Sequence, residues 1–498
     1  MKPTRIVVAG WGQITQPRHQ AHDLKDPLGL MAEAARRSSD QTGSRSLLKH
    51  LDGIMVVRPL SRHYPDPVAQ LAQALGASPR FRHVSGIGGN SPQTLINQAA
   101  GMIAGRELDS VLIAGAEAYV PREPKGPRAQ NALFQGIPGD YSGDDLVGFT
   151  GLENRHGMEQ PLHGFPLFET ALWGASGLAL KPYLQNIGRM WSAFSRTAAG
   201  HPYAWTREVK PPETIITPGP DNRPVAFPYT KFMTAYVTVD QGAAVILMSE
   251  EASRRYLPRD RARVYFLGGG YAEDRQRFMV QKSDFTVSPP LKAAVAKALE
   301  RACTVLEAVD CFDLYSCFPC AVFIAKKMIG ISDHDPRPLT LTGGLGFFGG
   351  PGSNYNLHAV ATLAEHIEAG KFTKGMVTAL GWFMHKQAVG VYGSSPHGRD
   401  IGNDYHYDQA DPLAGEEPVP IRDAFNGTGI IDTYTVIYAP DQAPSYGVIY
   451  GKTPDQERFV AKARDDSDLF AWLMEKNRIG QPVQVRFNAS AKVNLAVR

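Results

Sequence analysis

The chain has 498 residues, enough for two or three domains. Its 52 Lys and Arg against 49 Asp and Glu leave a formal charge of +3 with no long basic run, which argues against a nucleic-acid binder. At 43% hydrophobic and 20% charged residues it can bury a large core, yet its longest purely apolar stretches, such as Ala243 to Met248, fall far short of the about 20 residues a membrane span needs.

The opening MKPTRIVVAG predicts a strand from Ile6 to Ala9 and has no apolar signal core before a cleavage site, so a cytoplasmic location is expected. An Ala-rich helix near Leu28 to Arg37, a strand around Gly53 to Val57 and a helix from Pro67 to Leu75 follow. Such alternation indicates a parallel sheet with crossover helices. Residues 86–93 read GIGGNSPQ, a Gly-rich turn with Ser91 as helix N-cap and Pro92 at the first helical position. Apolar residues at Leu95, Ile96, Ala99, Met102 and Ile103 mark the helix, and Val111 to Ala114 the next strand.

Residues 120–230 lose the alternation and become rich in Pro, Gly and aromatics, with one long amphipathic stretch from Leu184 to Ala198. An excursion of this length inserted in an α/β core either covers a binding site or acts as scaffold or subunit contact. The run SRRYLPRDRAR at 253–263 carries five arginines and reads as a solvated face or, alternatively, a phosphate patch. The second half then repeats the plan of the first. Residues 343–352 read GGLGFFGGPG, a cap at Ser353 or Asn354 follows, and Leu357, Val360, Ala361, Ala364 and Ile367 recur at helical spacing before a strand at Met376 to Leu380. From turn to strand the steps are 25 residues (Gly86 to Val111) and 27 residues (Gly349 to Met376), which suggests a duplicated α/β domain. Residues 397–422 are polar and Gly/Asp/Pro-rich, a linker. Four β-rich runs around a short helix near Leu469 to Lys476 end the chain, the pattern of a small OB-like barrel.

Gly-rich turns that open helices aim backbone N–H groups and a helix dipole at an anion or oxyanion, although tight turning alone also requires glycine. GIGGNSPQ lacks the spacing of a dinucleotide fingerprint, and no NAD site is expected. The four cysteines, Cys303, Cys311, Cys317 and Cys320, lie within 18 positions, unlike a secreted disulfide scaffold. Cys317 and Cys320 fall at the start of a helix, where the dipole favours thiolate, so they are either reactive or simply buried. The irregular spacing of the other two speaks against zinc, and no metal is expected. His385, between two core strands, is a candidate base, and His358 reads as a core histidine. Tyr355, at a helix start beside GGPG, is a hydroxyl suited to capping or packing.

Together these segments resemble the thiolase superfamily, specifically its thiolase-like proteins with an additional C-terminal domain. GIGGNSPQTLINQAAGMIAGRELDSVLIAGAEA resembles the turn–helix–strand that carries the thiolase nucleophile, and 221–252 resembles the end of the thiolase loop domain with the next core strand. YSCF at 315–318 sits where thiolases have NEAF or HDCF, and GGPG at 349–352 where they have GHP. The resemblance implies a duplicated five-layered αβαβα fold. Its N-terminal half is 1–119 and 233–260, its loop domain 120–232 and its C-terminal half 261–396, with a linker at 397–422 and an OB-like domain at 423–498. It also implies acyl-CoA substrates, no bound cofactor beyond the coenzyme A thioester, and pairing through the N-terminal half into a homodimer unless the added domain covers that surface.

The nucleophile position falls on Gly88, the GHP histidine on Gly350, and the second catalytic cysteine near Gly381, so a conventional thiolase is not expected. An acyltransferase would use Cys317 or Cys320 as acyl acceptor and His385 as base. Gly88, Gly89 and Asn90 would hold the thioester, and Tyr315, Gly349 and Gly350 would line the pocket. A retro-aldolase acting on a β-hydroxyacyl-CoA, with Tyr355 central, and a non-catalytic acyl-CoA or lipid-binding protein are the alternatives.

Overall fold

A computed structural model describes residues 4–20, 22–120, 148–397, 414–464 and 466–497. Much of the expected linker, and the first part of the loop domain, lie outside the described residues.

Sixteen strands run in chain order among the described residues. The first four are β1 (Ile6–Thr15), β2 (Gly53–Val56), β3 (Phe81–Val84) and β4 (Ser110–Ala118). Next come β5 (Pro224–Ala226), β6 (Tyr229–Thr230), β7 (Asp240–Ser249) and β8 (Val264–Glu273). They are followed by β9 (Cys311–Asp313), β10 (Lys374–Gly381), β11 (Lys386–Gly393) and β12 (Gly427–Tyr438). The last four are β13 (Pro444–Lys452), β14 (Arg458–Arg464), β15 (Pro482–Asn488) and β16 (Val493–Val497).

The first half forms the sheet order β3-β2-β4-β7-β1, and the second continues it as β8-β11-β10-β9. Three residue pairs, Ile6 with Phe266 through Val8 with Val264, join the halves. The helices Ser91–Ala104 and Tyr355–Glu368 each contact strands of both halves, so they form the middle layer. That is why their apolar residues run all round and Asn97, Asn356 and His358 are buried with them. The outer helices press on glycines. A Cβ on Gly12 of β1 would lie 2.1 Å from the Ala34 carbonyl oxygen, and one on Gly270 of β8 would lie 1.9 Å from that of Ala294. Both first strands of the repeat thus carry Gly-x-Gly under a crossover helix, a second sign of duplication.

The loop region is more helical than the sequence pattern shows. The helix Leu180–Gly200 contains the expected amphipathic stretch, but Pro161–Ser176 precedes it. That helix is buried on most of its surface and contains Pro166 and Gly164, so it presents no polar face to betray it. At the C-terminus β12-β13-β14-β16-β15 closes back on β12, a five-stranded barrel with the helix Ser467–Glu475 between its third and fourth strands. The barrel is not an appendage. Strand β12 also pairs with β5 of the loop region, where the Phe227 N–H donates to the Val436 carbonyl at 2.8 Å. Glu153, fully buried, accepts from the Val280 N–H at 2.8 Å and from the Tyr450 hydroxyl at 2.9 Å, tying loop region, second half and barrel together. No helix among the described residues is long and apolar enough to cross a membrane.

Candidate functional site

The two Gly-rich turns converge. The Gly88 N–H donates to Ser353 Oγ at 3.1 Å, so the loop before Ser91–Ala104 is tied to the loop before Tyr355–Glu368. The N-cap of the first helix is Asn90, one residue before the expected Ser91. Its side chain is 5% exposed, its Nδ2 donates to Thr94 Oγ1 at 3.3 Å, and its Oδ1 has no partner. That oxygen occupies the space between Gly88 and Gly381: a Cβ on Gly88 would lie 2.4 Å from it, and one on Gly381 2.2 Å. Tyr315 seals the other side, its hydroxyl oxygen 2.0 Å from a Cβ placed on Gly89. The space beside Gly88 and Gly381, the positions aligned with the two thiolase cysteines, is therefore filled by the Asn90 amide, and the space beside Gly89 by the Tyr315 phenol.

Gly88, Gly89, Asn90 and Tyr315 thus meet. The Gly350 N–H is committed to the Tyr236 carbonyl at 2.9 Å, and Gly349 packs on Gln241, whose Oε1 lies 2.3 Å from a Cβ there. The Gly350 N–H is therefore spent within the fold rather than turned toward a ligand. Tyr355 stands edge-to-face to Tyr315 with ring centroids 5.6 Å apart. Its hydroxyl donates to Asp313 Oδ1 at 2.9 Å and lies 2.6 Å from Thr342 Oγ1. Asp313 is fully buried, and its Oδ2 accepts from the Leu341 N–H at 2.8 Å and from Thr340 Oγ1 at 3.2 Å. Burial raises its pKa despite those donors. Asp313 was missed because it ends a three-residue strand in an apolar run, where sequence pattern gives a lone acid no partner.

Of the two readings open for the thiols, burial describes both. Cys317 and Cys320 do stand at the start of the helix Pro319–Ile329, and backbone N–H groups act on both. Desolvation outweighs them and pushes both thiols up, and the Glu169 carboxyl acts in the same direction on Cys320. Cys320 Sγ lies 3.6 Å from the Phe165 carbonyl oxygen. His385 does sit in the turn between β10 and β11, but it is fully buried and neither ring nitrogen has a hydrogen-bond partner, so it contacts no thiol as a base. Burial, with Lys282, Lys386 and Arg277 nearby, holds its pKa well below the usual value. The expected relay from His385 to Cys317 or Cys320 is not assembled.

Aromatic rings close the site from the loop side. Phe165 stacks on Phe318 at 4.4 Å, Tyr229 on Phe318 at 5.5 Å, and Phe383 lies 4.6 Å from Phe149. Behind them Glu169 accepts from the hydroxyls of Tyr183 and Tyr229, and burial pushes its pKa up to about 7. Two open spaces adjoin these elements. A groove of about 1060 Å³ runs between the helix Leu180–Gly200 and residues 323–340, with Thr340 among its lining residues. A smaller cavity of about 290 Å³ lies behind the Asn90 loop, lined by Arg58, His83, Tyr271, Glu273 and Lys386. No cluster of metal-ligating side chains occurs among the described residues.

Comparison with known proteins fits this geometry. Residues 412–489 match the thiolase-like protein type 1 additional C-terminal domain. The chain is 30% identical to a monomeric SCP2-thiolase-like protein type 1 from Mycobacterium smegmatis over 100% of its own length and 99% of that protein's, with a TM-score of 0.83. An Ltp2-ChsH2(DUF35) aldolase covers 78% of this chain and 98% of its own at 16% identity and a TM-score of 0.61. An acetyl-CoA acetyltransferase from Syntrophomonas wolfei covers 79% of this chain and 100% of its own at 15% identity and a TM-score of 0.58. The last two likenesses are of fold alone. No curated protein matches.

Proposed function

Because the chain belongs to the SCP2-thiolase-like proteins of type 1, we propose that it binds acyl-CoA without passing the acyl group through a cysteine. The observation that carries this reading is Asn90 Oδ1 lodged between Gly88 and Gly381. An acylated cysteine needs a thiolate and room for a tetrahedral centre, and the family's position offers neither. The raised thiols of Cys317 and Cys320 argue against a relocated nucleophile. The test is incubation with acetyl-CoA and palmitoyl-CoA, read by calorimetry, intact-protein mass and release of free coenzyme A. Binding with no added mass and no released thiol is expected; an acyl group on any cysteine overturns the reading.

A second reading, cleavage of a β-hydroxyacyl-CoA, is supported by the Tyr315–Tyr355–Asp313 arrangement. A base would take the β-hydroxyl proton, the Cα–Cβ bond would break to give a carbonyl product, and the thioester enolate would regain a proton. Chromatography of β-hydroxyacyl-CoA incubations decides it: a carbonyl product that disappears in Tyr355→Phe would favour lyase chemistry over binding alone.

A further inference from the structure

We infer that the groove between the helix Leu180–Gly200 and residues 323–340 is the ligand site, and that it takes an acyl chain joined to a phosphate-bearing head. This deepens the proposed acyl-CoA reading and rests on it, but it assigns the ligand to a place away from the Gly88 turn. The volume, about 1060 Å³, is at the upper end of small-molecule sites. Its wall is apolar where Leu172, Met190, Phe194, Phe323, Ile331 and Leu339 face it, and Leu178 stands 42% exposed among the lining residues. An open apolar surface of this kind is costly to leave wet.

Charge selects the head. The lining holds Arg189, Lys326, Lys327 and Arg337 against Asp333 and Asp335, an excess of two positive charges. Two of the cations are already used: Lys326 pairs with Asp333 at 2.6 Å and Arg337 with Asp335 at 2.6 Å. Arg337 also donates to the Leu306 and Val309 carbonyls, so it is a strut. Arg189 and Lys327 remain. Among the described residues neither is paired with a carboxylate; Arg189 donates to Asn186, and Lys327 to Thr286 at 3.2 Å. They stand on separate helices, Leu180–Gly200 and Pro319–Ile329, so an anion between them would be held from two sides. Thr340 lines the groove while its hydroxyl donates to Asp313, which places the buried acid one hydrogen bond behind the groove wall.

The experiment titrates the full chain with palmitoyl-CoA. Ala193→Trp, at an exposed position on the groove wall, fills the groove from solvent. It is expected to weaken binding at least tenfold with an unchanged circular dichroism spectrum. Arg189→Glu with Lys327→Glu is expected to weaken it about tenfold and to flatten its salt dependence, and it serves as the test if the tryptophan variant misfolds. If wild type binds and both variants bind equally well, the groove assignment is overturned while the acyl-CoA reading stands. If wild type binds no acyl-CoA, the reading itself fails.

Discussion

Restoring the missing nucleophile is the sharpest perturbation of the filled site. In Gly88→Cys the new Cβ would sit 2.4 Å from Asn90 Oδ1 and 3.4 Å from Gly381 Cα. The first contact is roughly 1 Å inside ordinary non-bonded separation. Asn90 cannot move outward cheaply, because it is buried and tied to Thr94. Overpacking of this kind costs about 1–3 kcal/mol, and losing the Asn90–Thr94 bond adds about 1 kcal/mol. A loss of at least about 2–4 kcal/mol is therefore expected, since a side chain at the Gly88 φ of +150° is strained as well, with no acyl adduct on the new thiol. Asn90→Ala removes an oxygen that has no donor and opens room, so in its background the cost of Gly88→Cys should fall by about 1–3 kcal/mol, a coupling a double-mutant cycle resolves. The assay is chemical denaturation of the four proteins, with peptide mass spectrometry after acetyl-CoA. Equal stability of Gly88→Cys and wild type, or acylation of the single variant, would refute the argument that Asn90 occupies the nucleophile's place.

Other outcomes follow from groups already described. His156 donates from Nδ1 to the Leu152 carbonyl and accepts the Asn494 N–H on Nε2 at 2.9 Å, a neutral ring joining loop region and barrel. Its pKa falls from 6.5 to about 4, so between those values the unfolded chain binds the extra proton; the stabilisation is complete above 6.5 and is lost as pH falls toward 4, by about 3 kcal/mol. His156→Gln should show a shallower acid-side loss than wild type in urea titrations at pH 7 and pH 4.5. Tyr355→Phe takes a donor from buried Asp313 and should cost about 1–3 kcal/mol in the same measurement. Arg458 is fully buried, 3.0 Å from Asp432 and 2.7 Å from the Lys282 carbonyl, so Arg458→Ala should cost about 3–5 kcal/mol; a loss under 1 kcal/mol would show that the guanidinium is not holding barrel to core.

The duplicated plan was legible in the chain because each half repeats a local pattern: a Gly-rich turn, an apolar helix and a short strand. The barrel was legible for the same reason, although the run at 493–497 that supplies its fifth strand was not singled out. The site was legible only as a set of positions. Gly88, Asn90 and Tyr315 were named, but that Asn90 fills the cavity depends on Gly381, some 290 residues away, and no local spacing encodes it. The thiols misled because a helix start is visible in sequence and desolvation is not: Phe165 and Glu169, which surround Cys320, come from a helix with no amphipathic stripe.

The hydrogen bond from Phe227 to Val436 has a consequence for how the chain is made. The strand Pro224–Ala226 leaves the ribosome about 200 residues before the segment that pairs with it. At about 5–20 residues per second, that edge stays unsatisfied for on the order of ten seconds or more during synthesis. Truncation before the barrel would make the exposure permanent. A shortened chain would then lack more than its final domain: it would carry an open β edge beside the rings of Phe227 and Tyr229, and aggregation would compete with folding.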